Sequence, residues 1–491
     1  MLTGATTLRR ATPVPQRAQS VDFAALRARE FSRLDDGGHA YLDYTGSALY
    51  PDRLVAGHAT TLRASVLGNP HSESPASLAS TALVNEARTR VLRFFDADPD
   101  EYVVCFTPNT SGAIHLVASA YPFGPDAPLI LASDNHNSVN GVRAYAERAG
   151  ACVHQLPLDA ELRLHDVASA LTVLRKTHVG AGLVAFPAQS NFSGVRHPLA
   201  LVDKARALGY DVLLDAAAYV PTSPLSLTRT PASFVACSFY KMFGYPTGVG
   251  ALITRRDALA RLRRPWFSGG TVEYVSVQSR SHLLRDGAEG FEDGTVNFLA
   301  FGAVIDGLDF LDALGMPNVR RHVATLTDRL VEGLRALTHR DGSPLIRVYG
   351  PRDRYDCGGT VAFNVLDARG DVAPYEDIEA RARAAGISVR SGCFCNPGAS
   401  EQAFGFVAER AARCIEETTR SGWSVREFAR RMKACGGASA VGAVRASLGI
   451  ASNESDVARL IGMLTEINDN PRWRGLHQKT AKMRKKWGQI P

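Results

Sequence analysis

The sequence predicts an α/β protein built on a mainly parallel sheet, and three observations carry that prediction. From about Tyr41 onward, short β-like apolar runs alternate with helical stretches of ten or more residues, the pattern of crossovers laid over the faces of a parallel sheet. Polar residues gather where those β-runs stop, which is where open sheets of this kind bind ligands. Finally, 491 residues exceed one core at roughly 100–200 residues per domain, so two or three units are expected.

The first twenty residues are acid-free, carry Arg9, Arg10 and Arg17, and lack the apolar core of a secretory signal. Residues 1–40 are therefore read as an N-terminal arm. YLDY, Tyr41 to Tyr44, is strand-like and runs into the small-residue turn TGSALYP; NPHSESPAS is polar loop, with residues before proline biased away from helix. SLASTALVNEARTRVLRFF has apolar residues at 3–4 spacing and reads as an amphipathic helix. Strand YVVCF, loop TPNTSG and helix AIHLVASAY follow, then strand LILA, a helix from Val139, strand VHQLPL, a helix from Val167, strand LVAF, a helix from Leu199 and strand VLLD. The last β-run of the series ends in Lys241, before a glycine- and proline-punctuated turn and a second β-run.

Composition narrows the classes. With 45% hydrophobic and 21% charged residues the chain is ordinary globular protein, and no run approaches the ~18 apolar residues of a membrane span. The net charge of +7 is concentrated in the last segment, where Arg472, Arg474, Lys479, Lys482, Arg484, Lys485 and Lys486 follow the final acid, Asp469. Such a tail either is solvated or touches nucleic acid or an acidic partner; nothing in the sequence resembles a nucleic-acid-binding module, and no nucleic-acid partner is expected. Eight cysteines in this length are no disulfide framework. Cys105, Cys152 and Cys237 lie in apolar runs and read as small core residues, so a reducing, cytoplasmic setting is expected.

Polar residues at the strand ends are Thr110 and Ser111 after YVVCF, His136 after LILA, Asn191 after LVAF and Asp215 closing VLLD, with Lys241 the fifth. Each alone has a plain reading: a helix N-cap, a structural histidine, a turn aspartate, a snorkelling lysine. Together they make a pocket whose members answer the needs of pyridoxal 5′-phosphate (PLP). A lysine among Phe239, Tyr240 and Phe243 loses hydration, so its amine becomes nucleophilic toward an aldehyde. Asp215 would keep the pyridine nitrogen protonated and the ring an electron sink. Thr110 and Ser111 open a helix whose free N–H groups suit a phosphate, and His136 suits stacking on the ring and moving protons.

The stretches YLDYTGSAL, NPHSES, FTPNTSGAIHLVA, SDNHNSVNGVR, FPAQSNFSG, LLDAAAYVPTS, SFYKMFGYPTGVGAL, FEDGTVNF, VRSGCFCNPGA and VRASLGIASN resemble the class V aminotransferase family of fold-type I PLP enzymes. Within it they are similar to the cysteine desulfurase-like domain of molybdenum-cofactor sulfurases. The resemblance implies a large PLP-binding domain over 41–297, a smaller C-terminal α/β domain over 298–470 and a basic tail over 471–491. It implies covalent attachment of the cofactor to Lys241, Asp215 at the pyridine nitrogen, His136 over the ring, Asn191 near its phenolic oxygen, and Thr110, Ser111 and Ser238 around the phosphate. Thr295 would be lent to the phosphate of a neighbouring subunit, hence a homodimer. Cys395 matches the family's sulfur-accepting nucleophile and Arg445 its carboxylate clamp, where a guanidinium binds bidentately. Gly392 and Gly398 are expected to let the cysteine loop reach inward, and Arg390 to favour the thiolate.

The expected function is removal of sulfur from L-cysteine or a related derivative as a persulfide on Cys395, giving alanine, with delivery to a sulfur-acceptor protein. The alternatives are a PLP-dependent C–S lyase, or other β-carbon chemistry, in which the cysteine loop only shapes the site, and a binding protein without turnover. Intact Lys241, Asp215, His136 and Arg445 speak against the last. No metal site is expected, since Cys393 and Cys395 have no second cysteine pair or nearby histidine; as adjacent thiols they also suit a redox pair. Departures from the family are Ala218, where desulfurases place a ring-bonding glutamine, Tyr44, where sulfurases often have histidine, the divergent stretch from Ser400 to Gly442, and the short remainder after VRASLG, which is not expected to hold the sulfurases' further C-terminal domain.

Overall fold

The computed structural model describes residues 20–177, 180, 182–421 and 425–469. The predicted basic tail, 471–491, lies outside the described residues, as do the first nineteen residues of the predicted arm.

The larger sheet has seven strands: β1 (Tyr102–Thr107), β2 (Leu129–Ala132), β3 (Val153–Leu156), β4 (Leu183–Pro187), β5 (Asp211–Asp215), β6 (Phe234–Ser238) and β7 (Gly250–Arg255). Their order is β1-β7-β6-β5-β4-β2-β3. Only β7 runs against the others, pairing antiparallel with both β1 and β6. The remaining pairs are parallel, so the carboxyl ends of β1 to β6 share one edge. In β4 and β5, alternate residues feed two cores: Val184, Phe186, Val212 and Leu214 pack with helix Pro75–Phe94 and helix Phe301–Leu314, while Leu183, Ala185 and Leu213 pack with helix Thr110–Ala120. Burial on both faces is why these strands read as unbroken apolar runs.

A second, four-stranded antiparallel sheet contains β8 (Ile346–Val348), β9 (Thr360–Val365), β10 (Arg390–Gly392) and β11 (Ala443–Ser447), in the order β8-β9-β11-β10. The YLDY stretch belongs to this side: Ala40–Tyr41 pairs in parallel with Ile387–Ser388, and Asp43 bridges to Ser447. Residues 20–40 are not a free arm. Helix Phe23–Glu30 is tied down by the buried Arg27, whose Nη1 lies 2.6 Å from Asp456 Oδ2.

Two further details differ from the sequence reading. Lys241 does not end a strand; β6 stops at Ser238, and Phe239–Phe243 forms one helical turn. Its i, i+4 pair Phe239 and Phe243 stacks at 5.9 Å inside the core, and this local 3.6-residue packing overrides the β-like composition. Cys152 is exposed just before β3, whereas Cys105 and Cys237 are buried as expected. Six described cysteines are free thiols and Cys435 is in a disulfide. Among the described residues no helix is long and apolar enough to cross a membrane.

Candidate active site

The edge of the large sheet brings Lys241, Asp215 and His136 together. Asp215 closes β5 beside Ala236 of β6, and Lys241 stands five residues beyond Ala236. Gly244 ends the lysine's helical turn at φ +80, and a Cβ there would lie 2.3 Å from Tyr50 N, so only glycine fits. The Asp215 carboxylate is buried and accepts Ala217 N–H at 3.0 Å through Oδ1. Burial pulls the Lys241 pKa below the ordinary 10.5; Asp215 opposes the shift, while Arg445 and Arg390 add to it. His136 precedes helix Asn137–Asn140, and its Nδ1 accepts Ser138 N–H at 3.1 Å, which leaves the proton of the neutral ring on Nε2. Burial also lowers the His136 pKa, with Asp215 raising it and Lys241 and Arg445 lowering it.

The predicted phosphate residues form a connected group at the start of helix Thr110–Ala120. Thr110 N–H donates to Ser238 Oγ at 2.7 Å, the two hydroxyls lie 2.6 Å apart, and Ser111 Oγ lies 2.6 Å from Ser138 Oγ. Ser138, which sequence reasoning missed, therefore links this group to His136. Thr295 is not joined to it; it stands exposed and accepts a hydrogen bond from Asn69 Nδ2 at 3.2 Å.

The facing half comes from the small sheet. Arg390 of β10 lies directly opposite Arg445 of β11, and like charges so placed repel. Asp43 sits between them. It accepts from Arg390 Nη2 at 2.7 Å and Nε at 3.1 Å, and from Arg445 Nη2 at 3.1 Å. Arg445 Nη1 donates to Asn191 O at 2.9 Å, while its Nε is buried without a partner. Burial brings the Arg445 pKa down to about 10 in spite of Asp43, whereas the Asp43 hydrogen bonds raise that of Arg390. Asp43 had no motif to announce it; its partners are 347 and 402 residues away in sequence.

The cysteine loop is pinned rather than free to swing. Asn191 Nδ2 donates to Phe394 O at 2.7 Å, Asn396 Nδ2 to Asn191 Oδ1 at 2.9 Å and to Asp134 O at 2.7 Å, and Asn137 N–H to Cys395 O at 2.8 Å. Asn191 therefore serves first as a strut, with one amide N–H left over. Phe394 is buried 4.8 Å below the Arg445 guanidinium and 5.5 Å from Phe192. Gly398 supplies close approach, not mobility: a Cβ there would lie 1.9 Å from Ser133 O. Phe394 and Cys395 both hold left-handed φ, 56° and 55°. Cys395 is exposed and lies within electrostatic reach of Lys241, Arg390 and Arg445. The departures Ala218 and Tyr44 line one recess beside Lys241, with Gln189, Thr222 and Thr360, and it has room for about one water, ≈ 20 Å³.

A desolvated amine beside a buried carboxylate, hydroxyls at a helix N-terminus, and an arginine with an unpartnered buried N–H form a donor set that fits PLP and an amino-acid carboxylate. Among the described residues no group of three or more His, Cys, Asp or Glu is arranged to hold a metal ion.

The aminotransferase class-V family matches residues 40–460, and the chain belongs to that family. It is similar to molybdenum cofactor sulfurases: 37% identical over 420 residues to that of Bos taurus, covering 80% of this chain and 46% of the relative, and 35% identical over 411 residues to that of Solanum lycopersicum, covering 77% and 50%. The chain thus spans about half the length of these curated relatives. Among solved structures it is similar to a cysteine desulfurase from Thermococcus onnurineus NA1, with TM-score 0.74 and 24% identity over 94% of this chain and 99% of that one. It is also similar to the cystine C–S lyase C-DES, with TM-score 0.65 and 18% identity over 89% and 99%. The architecture is that of fold-type I PLP enzymes, and PLP is the cofactor that this fold and family imply.

Proposed function

We propose that the chain is a PLP-dependent cysteine desulfurase-like enzyme that takes sulfur from L-cysteine, or a close derivative, onto Cys395. The observation that carries this is the meeting of Lys241, Asp215 and His136 on one sheet edge, with Arg445 of the other sheet within electrostatic reach of Lys241 and His136, and Cys395 of the following loop within reach of Lys241 and Arg445.

Lys241 would hold the cofactor covalently, Asp215 its ring nitrogen, His136 a ring face, Asn191 the phenolic oxygen, and Thr110, Ser111 and Ser238 the phosphate. When bound, PLP withdraws electrons from the substrate's α-carbon. Arg445 binds the α-carboxylate through the donors it keeps, and the freed Lys241 amine moves a proton at the α-carbon. With its carboxylate clamped, the substrate presents its sulfur to Cys395. Attack by the Cys395 thiolate forms an S–S bond and breaks the Cβ–S bond. The carbon fragment keeps the electron pair and takes a proton to become alanine. Arg390, expected to favour the thiolate, is instead paired with Asp43.

Two exposed thiols, Cys393 and Cys395, suit hand-over of sulfur to an acceptor protein. Thr295, exposed and apart from the cradle of its own chain, supports a homodimer in which it completes the partner's phosphate site. The two halves of the site are read as the domains 41–297 and 298–470.

The test is a product assay on the holoenzyme with L-cysteine and a reductant. Equal alanine and sulfide, both abolished by Cys395→Ala, are expected. Pyruvate and ammonia unaffected by that change would mean C–S lyase chemistry instead.

A further inference from the structure

The Asp43 carboxylate is shared unequally. Three of the hydrogen bonds it accepts come from Arg390 and one from Arg445. Arg445, 2% exposed, spends Nη1 on a neutral carbonyl and keeps Nε unpartnered, so its charge stays available to a ligand carboxylate. The charge of Arg390 is largely cancelled. Arg445 lies beside Asn191 and above Phe394, and Arg390 opens the strand that runs through Gly392 toward Cys395. Any ligand with its α-carboxylate on Arg445 and its side chain toward Cys395 brings that side chain to the Arg390–Asp43 pair. Two guanidiniums and one carboxylate leave a net single positive charge, which one carboxylate satisfies.

We propose that Asp43 is a specificity-determining positioning residue. By pairing Arg390 it keeps the sulfur end of the site free of uncompensated positive charge, so the site takes a monocarboxylic amino acid with a neutral side chain and discriminates against one ending in an anion, such as a sulfinate or sulfonate. This rests on the proposed function only for the direction in which the substrate lies. Removing the Asp43 charge releases Arg390 for a side-chain anion; removing Arg390 as well closes that opportunity.

The test compares L-alanine with L-cysteate as unreactive probes, their dissociation constants measured by calorimetry on the holoenzyme. Asp43→Asn shifts the ratio toward L-cysteate by about tenfold or more, and Asp43→Asn with Arg390→Gln returns it toward the wild-type value. A ratio unmoved in the folded single variant, or a shift that persists in the double variant, overturns the inference. If Asp43→Asn fails to fold because Arg445 is left buried with less compensation, Arg390→Gln alone decides: Asp43, then held by Arg445 alone, weakens L-cysteate relative to L-alanine by about tenfold, and an unchanged ratio overturns the proposal. Wild-type protein that binds neither probe overturns this inference. The expected ratio shifts without alanine released from L-cysteine leave it standing and overturn the desulfurase function.

Discussion

Lys241 and Asp215 reach the site through the regular geometry of one sheet, Asp215 at the end of one strand and Lys241 in the helical turn that follows its parallel neighbour. Arg390, Arg445 and Cys395 reach it through contacts between segments hundreds of residues apart, with Asp43 and Asn191 as the ties. The first half is held by the core itself and carries one amine and one buried carboxylate. The second is a charged layer whose members hold one another and the cysteine loop in place. Damage to the first half should therefore abolish chemistry with little effect on the fold, and damage to the second should cost binding and stability together.

Lys241→Ala is the largest expected effect, a fall in turnover of about 10⁴-fold, with loss of the covalently bound cofactor's absorbance band and an almost unchanged melting temperature. A variant that melts far below wild type would show that Lys241 is structural and would break the contrast. Arg445→Gln should raise the KM for L-cysteine about 100-fold and also cost about 3 kcal/mol in denaturant unfolding, since it removes one partner of the buried pair with Asp43. A KM effect without a stability effect would mean that the charged layer is not held together by its own pairs.

Asn396→Ala removes two donors from the loop and the cap of helix Pro397–Phe404. It should cost about 1–3 kcal/mol and speed amide exchange at Asn137, whose N–H holds Cys395 O. Unchanged exchange there would show that the loop is pinned elsewhere. The smallest effects concern protons. Because the Lys241 pKa is lowered, the rate at which apoprotein captures PLP should rise with pH and level off below 10.5; a midpoint at the ordinary lysine value contradicts a desolvated amine. The His136 pKa lies below 6.5, so the native state resists protonation there. Its contribution is complete above pH 6.5 and is lost as the pH falls through the lowered value. Apoprotein with His136→Gln should lose less melting temperature between pH 7 and pH 5 than wild type does.

The same contrast explains what the sequence revealed. The alternation of β-runs and helices is a local signal, so the large sheet and its polar strand ends, including Asp215 and His136, were legible. SFYKMFGYPTG pointed to Lys241, though the helical turn it forms was hidden by its aromatic, strand-like composition. Within YLDY nothing marks a role for Asp43, because its task depends on Arg390 and Arg445 lying opposite each other in a sheet formed late in the chain. Gly398, expected to let the loop reach inward, does so by allowing close approach to Ser133. Local sequence cannot separate that use of glycine from mobility.

The most direct experiment mixes holoenzyme with one equivalent of L-cysteine in the absence of reductant and examines both the protein and the small-molecule product. One added sulfur atom on the peptide carrying Cys395, with one alanine released per chain, is the expected result. Pyruvate with no sulfur added to that peptide would contradict it.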